Sequence, residues 1–133
     1  MLRLSSSLRA ELSAWIRLGY PREACGLLIG RCEQDERRVE RVVHAHNLAV
    51  ARDRYELDPG DLVAADHAAR AVQLSIIGIW HSHPDQPAVP SDADRANAWS
   101  GWSYLIVSVT RGEIGALRAW RLEGGAFVEE AVV

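Results

Sequence analysis

The sequence predicts an α/β fold: one domain with a mixed central β-sheet flanked by helices. Three observations lead there. Apolar residues at helical spacing open the chain, at Leu8, Leu12, Trp15 and Ile16. Short apolar runs rich in β-branched residues recur from residue 24 onward. Stretches with helix-capping signals separate those runs twice, so helices and strands alternate. The 133 residues suffice for one compact core, and no repeat, low-complexity tract or linker divides them. Residues 1–133 therefore read as a single domain.

The elements come in order. A run of serines precedes the first helix and can cap it; Gly19, Tyr20 and Pro21 end it. ACGLLIGRCE (24–33) reads as a strand. RRVERVVHAHNLA (37–49) reads as another, with Gln34 and Asp35 turning between them. RYEL (54–57) is a candidate short strand. Asp58 at an N-cap and Pro59 at the first helical position predict a helix over 58–73. LSIIGIW (74–80) suits a buried central strand. SDADRANAW (91–99) has a serine cap and acidic residues in its first turn, which predicts a third helix. YLIVSVT and EIGALRAWRLE then read as strands joined at Arg111 and Gly112. Gly124 and Gly125 turn the chain into AFVEEAVV. The expected order is α-β-β-(β)-α-β-α-β-β-β.

Composition narrows the function. Apolar residues make up 48% and charged residues 25%, a globular profile. No window is apolar over the 18 or so residues of a membrane span, and the first fifteen residues carry Arg3, Arg9 and Glu11 where an export signal needs an apolar centre. A cytoplasmic protein without a membrane partner is expected. The net charge of −3 argues against nucleic acid as a partner. Cys25 and Cys32 are read as reduced thiols. All fifteen basic residues are arginine.

The chemistry concentrates in GIWHSHPDQPAVPSDAD (78–94). Strand side chains alternate, so His81 and His83 can point to one face. Asp94, eleven residues after His83 and at the third position of the next helix, can fold back over them. Two imidazoles and one carboxylate leave an open fourth position on Zn2+, as catalytic zinc requires. The same residues also fit a plain strand end followed by a capping arrangement of Ser91 with Asp94. His44 and His46 form a second such pair, read as structural or surface residues, and His67 as a solvated or packed helix residue. Three other metal signatures fail. HSHPDQ has Gln86 where the metallo-β-lactamase pattern needs histidine, and neither the deaminase signature nor HExxH is present.

The string His81-Ser82-His83-Pro84, six residues, Ser91, two residues, Asp94 resembles the signature of the JAMM (MPN-plus) zinc metalloproteases at every defining position. PREACGLLIG (21–30), YELDP (55–59) and YLIVSV (104–109) resemble the family's other elements, so the likeness spans nearly the whole chain. The resemblance implies a JAMM/MPN-like, deaminase-like architecture of the small single-domain bacterial type. It implies that His81, His83 and Asp94 hold zinc, that Glu23 is the general acid/base and that Ser91 donates to the oxyanion. Only the resemblance selects Glu23, because spacing says nothing about a residue 58 positions before His81. Cys25 remains a possible ligand or a packing residue. Trp80, Trp99 and Trp102 read as core or cleft wall.

The implied activity is hydrolysis of the bond after the C-terminal Gly-Gly of a ubiquitin-like or sulfur-carrier protein. Only about four residues separate the third helix from the strand at Tyr104, where family deubiquitinases carry a longer insertion; an exposed strand edge is a substitute for holding the tail. Two alternatives stand beside this reading. One is a non-catalytic MPN-type interaction module, which predicts a broken motif. The other is a zinc amidohydrolase acting on a small amide.

Overall fold

A seven-stranded sheet of mixed direction runs through the molecule, with helices on both faces. The computed structural model describes residues 1–133. Its elements are β1 (Leu2–Arg3), α1 (Ser6–Gly19), β2 (Cys25–Glu33), β3 (Glu36–Ala45), α2 (Pro59–Ala71), β4 (Ser75–Pro84), α3 (Asp92–Ala96), β5 (Ser103–Thr110), β6 (Glu113–Glu123) and β7 (Ala126–Glu130). The strand order is β1-β3-β2-β4-β5-β6-β7. β1 runs parallel to β3 and β4 parallel to β5; the remaining pairs are antiparallel.

Local chemistry accounts for most boundaries. Ser5 caps α1 by accepting from the Leu8 N–H, and Asp58 caps α2 by accepting from Gly60. Leu12 and Ile16 form the buried stripe of α1. Arg111-Gly112 and Gly124-Gly125 all have positive φ, as tight two-residue hairpin turns require. On one face of the sheet, α1 packs with Leu28, Trp80, Leu105 and Val107. On the other, Ala65 and Ala69 of α2 pack with Leu27, Ile29, Ile79 and Tyr104.

Three expectations need correction. RYEL is not a strand: only Asn47 and Leu57 form a β-bridge there. The Asn47 side chain takes the ladder's place, its Oδ1 accepting from Ala49 and Glu56 and its Nδ2 donating to the Glu23 and Arg54 carbonyls. The third helix ends at Ala96 rather than 99, where the Asn97 side chain donates to the Ala93 carbonyl. The two-residue strand β1 has too few residues to show a period. It ties to the far end of the chain, Leu2 pairing with Val132, so the sheet curls toward closure.

The phase of β4 decides which side chains share a face. Pairing with β2 slips where Leu28 faces Gly78 and Ile29 faces Ile76, leaving Ile77 as an extra residue. After this bulge Trp80 points toward α1, while Ile79, His81 and His83 share the α2 face. Most surface ion pairs use arginine, as in Arg118 with Glu129 at 2.7 Å and Arg70 with Asp66 at 3.0 Å. Such exposed pairs contribute little to stability.

At Gly26 the backbones close in. A Cβ there would lie 1.9 Å from the Val43 carbonyl oxygen and 2.5 Å from the Trp80 Nε1 that donates to it. Gly26→Ala is expected to cost about 3 kcal/mol, as overpacking against rigid backbone does, and urea unfolding measures it.

Candidate metal centre

Backbone pairing brings the acidic residue from upstream to the histidine pair. Cys25 on β2 faces His81 on β4. The pairing continues past the end of β2: the Ser82 N–H donates to the Ala24 carbonyl at 3.0 Å, and the Ala24 N–H donates to Ser82 Oγ at 2.8 Å. One more step of this register sets Glu23 opposite His83. Glu23, His81 and His83 are all buried and offer ligand atoms within 4.8 Å of one another. Ser82 points away from the pair, as strand alternation requires. Its fully buried hydroxyl still fixes the neighbouring segment, a role that a lone serine between two histidines does not announce.

Asp94 arrives from α3 as its N3 residue. Ser91 and Asp94 form a capping box, with the Asp94 N–H donating to Ser91 Oγ at 3.1 Å and the Ser91 N–H donating to Asp94 Oδ2 at 2.8 Å. The capped carboxylate faces both imidazoles: Oδ1 lies 3.3 Å from His81 Nε2, and Oδ2 lies 3.1 Å from His83 Nε2. The two Nε2 atoms are 3.2 Å apart. Capping and site geometry are thus one arrangement, not rivals. Ser91 Oγ accepts in the cap, which leaves its proton free to donate.

The donor set fits a cation. His83 Nδ1 faces the Pro87 carbonyl at 2.9 Å, so that nitrogen carries a hydrogen and Nε2 is the atom left to offer a lone pair to a cation. Without a cation, protons on Nε2 bridge the imidazoles to Asp94; a bound cation would take the place of those protons and meet two nitrogen lone pairs and a carboxylate. Ligands about 2.0–2.1 Å from a tetrahedral zinc stand about 3.3 Å apart, which is the spacing found here. Glu23 Oε1 is buried without a hydrogen-bond partner. His81 Nδ1 is likewise unpartnered, and the Tyr55 ring stacks on this imidazole at 4.4 Å.

Electrostatics arise from burial and proximity. Burial pushes the Glu23 carboxyl up to about 8, against the pull of His83 and with help from Asp94 and Asp53. Burial lowers the His81 pKa. Burial acts on His83 in the same direction, but Asp94 and the Pro87 carbonyl outweigh it and the net shift is upward. For Asp94, burial is overcome by hydrogen bonds to both histidines, and the carboxyl stays well below its ordinary range. Burial raises the Cys25 thiol to about 12; its Sγ lies 3.9 Å from the Ala45 and His46 carbonyls, a packing environment. His44 stacks on Trp15 at 4.3 Å. His46 meets Asp61 at 2.9 Å at the start of α2, an acidic neighbour that only the fold supplies. His67 is exposed.

A groove of about 570 Å³ has Asp94 in its wall. Tyr55, Leu57, Leu62 and the stacked pair Trp99 and Trp102, 5.1 Å apart, line it. Trp80 is core, whereas Trp99 and Trp102 are cleft wall.

Residues 5–123 match the family described as prokaryotic homologs of the JAB domain (Prok-JAB). The chain belongs to this family. Among relatives, a desampylase of Haloferax volcanii is 37% identical over 137 residues, covering 98% of this chain and 94% of that protein. A CysO-cysteine peptidase of Mycobacterium tuberculosis is 31% identical over 133 residues, covering 99% and 90%. The solution structure of a Desulfitobacterium hafniense protein superposes with a TM-score of 0.91 at 32% identity, covering 100% of this chain and 92% of that one. The fold expected from the JAB-type motif is the fold found.

The raised Glu23 carboxyl has a consequence for metal-free protein. Unfolded, it releases its proton near 4.5; folded, it keeps it to about 8. Folding stability from this group therefore falls as pH rises between those values. In chelator, Glu23→Gln is expected to melt above wild type, with a gap that widens across this window. Thermal unfolding at a series of pH values reads it.

Proposed function

We propose that this JAB-domain protein is a zinc-dependent peptidase or isopeptidase. Its reaction is hydrolysis of the bond after the C-terminal Gly-Gly of a ubiquitin-like or sulfur-carrier protein. The observation that carries the reading is the convergence of His81 Nε2, His83 Nε2 and the Asp94 carboxylate, 3.1–3.3 Å apart, beside a buried and unpartnered Glu23 oxygen. In this reading residues 1–133 act as one domain, and His81, His83 and Asp94 hold zinc. Bound zinc supplies Lewis acidity, polarising a carbonyl and making water a stronger acid.

The chain's own groups supply the rest. Glu23 takes a proton from the attacking water and returns it to the leaving amine. Its buried carboxyl is suited to holding that proton between the two transfers. The Ser91 hydroxyl, whose oxygen already accepts from Asp94, donates its proton to the developing oxyanion. The groove from Asp94 to the tryptophan pair takes the extended carrier tail, in place of the longer insertion of family deubiquitinases. The relatives' names, desampylase and CysO-cysteine peptidase, agree with a peptidase acting on such carriers. Cys25 and Cys32 are both free, which suits a cytoplasmic, reducing setting.

A carrier ending in Gly-Gly, fused to a short peptide, tests the reading. Glu23→Gln should retain close to one zinc per chain and lose cleavage. Ser91→Ala should retain zinc and lose about a hundredfold in kcat. Wild-type protein that takes up no zinc on loading, or Glu23→Gln that still turns over, overturns the assignment. Cleavage of short Gly-Gly amides but not of the carrier fusion would instead mark a small-amide hydrolase.

A further inference from the structure

The carbonyl that orients His83 is held from a distant strand. Pro87 O accepts from His83 Nδ1 and from the Val89 N–H, each at 2.9 Å, so residues 87–89 form a tight turn around Ala88. The next carbonyl, that of Ala88, accepts from the indole Nε1 of Trp120 at 3.1 Å. Ala88 is 1% exposed, while Pro87 and Val89 on either side of it are exposed. The turn is thus anchored at its middle residue. Trp120 lies on β6, paired with Tyr104 on β5 and Glu129 on β7. The Arg118 guanidinium sits over its ring, 4.8 Å from the centroid, and donates two hydrogen bonds to the Glu129 carboxylate.

We infer that Trp120 is a positioning residue for His83, acting through the Pro87–Ala88 turn. Two consecutive carbonyls are engaged, one by the imidazole and one by the indole. The Ala88–Val89 peptide plane carries both the Ala88 carbonyl held by Trp120 and the Val89 N–H that donates to Pro87 O, so fixing that plane restrains the Pro87 oxygen. The Pro87 oxygen then accepts from His83 Nδ1 and keeps Nε2 turned toward Asp94 and His81. Partners one step behind a metal-binding histidine set its tautomer and orientation, and their loss typically costs 10- to 100-fold in metal affinity. The loop has a separate anchor at its start, where Asp85 accepts from the Tyr20 hydroxyl and the Arg111 N–H. Losing the indole N–H therefore loosens the turn without releasing the whole loop.

This inference rests on the reading of His83 as a zinc ligand. Its test uses Trp120→Phe, which keeps an aromatic ring and removes the donor. Three measurements are made: zinc affinity by chelator competition, melting temperature of the metal-free protein, and solvent exchange of the His83 Nδ1–H that Pro87 O accepts. Zinc binding is expected to weaken about tenfold, with little change in melting temperature and with faster exchange of that hydrogen. Unchanged zinc affinity in a folded variant, or weaker binding with the exchange of that hydrogen unchanged, overturns the inference. If the phenylalanine variant does not fold, Trp120→benzothienylalanine replaces only the N–H by sulfur, and the same outcomes apply. Wild-type protein that binds no zinc would refute the metal reading alone, because exchange of the His83 Nδ1–H still tests the role of Trp120.

Discussion

The antiparallel register between β2 and β4 is the constraint on which the site depends. Ile77, the extra residue in β4, sets the phase that carries His81 and His83 to the α2 face. The same register, extended by the reciprocal hydrogen bonds of Ala24 and Ser82, brings Glu23 from the other strand to His83. A slip of one residue would send every one of these side chains to the opposite face. Ser82, between the two histidines, holds that register at the point where β2 gives out.

The polar cluster carries an intrinsic cost. Carboxylates and imidazoles are gathered where water is excluded, and two of their atoms, Glu23 Oε1 and His81 Nδ1, have no partner. Buried polar atoms of this kind are destabilising unless something compensates. The surrounding structure offsets the cost by rigidity: the capping box fixes Asp94, the Pro87 carbonyl fixes His83, and Tyr55 stacks on His81. Local stability is given up for a preformed set of donors, which is the usual relation between a site and its scaffold.

Much of this was legible in the residues. Asp58-Pro59, the glycine turns and the Ser91-x-x-Asp94 box each state a local geometry, and the structure adopts each. The apolar run before His81 marked the central strand. Other features have no local signature. Nothing in RYEL reveals that an asparagine side chain seven or more residues upstream occupies its pairing groups. The bulge at Ile77 leaves the β4 sequence equally apolar in either phase. Glu23 was selected by likeness to a family and not by spacing, because its approach to His83 is a property of strand pairing across 60 residues. Tyr55 and Trp120 were silent for the same reason.

The absence of lysine has a chemical corollary. Guanidinium serves most of the surface ion pairs, Arg118 with Glu129 among them, and no side chain in the chain ends in a primary amine. Carrier proteins joined through isopeptide links need a nucleophilic lysine on the acceptor. This chain, built without one, presents no side chain on which such a carrier can be installed.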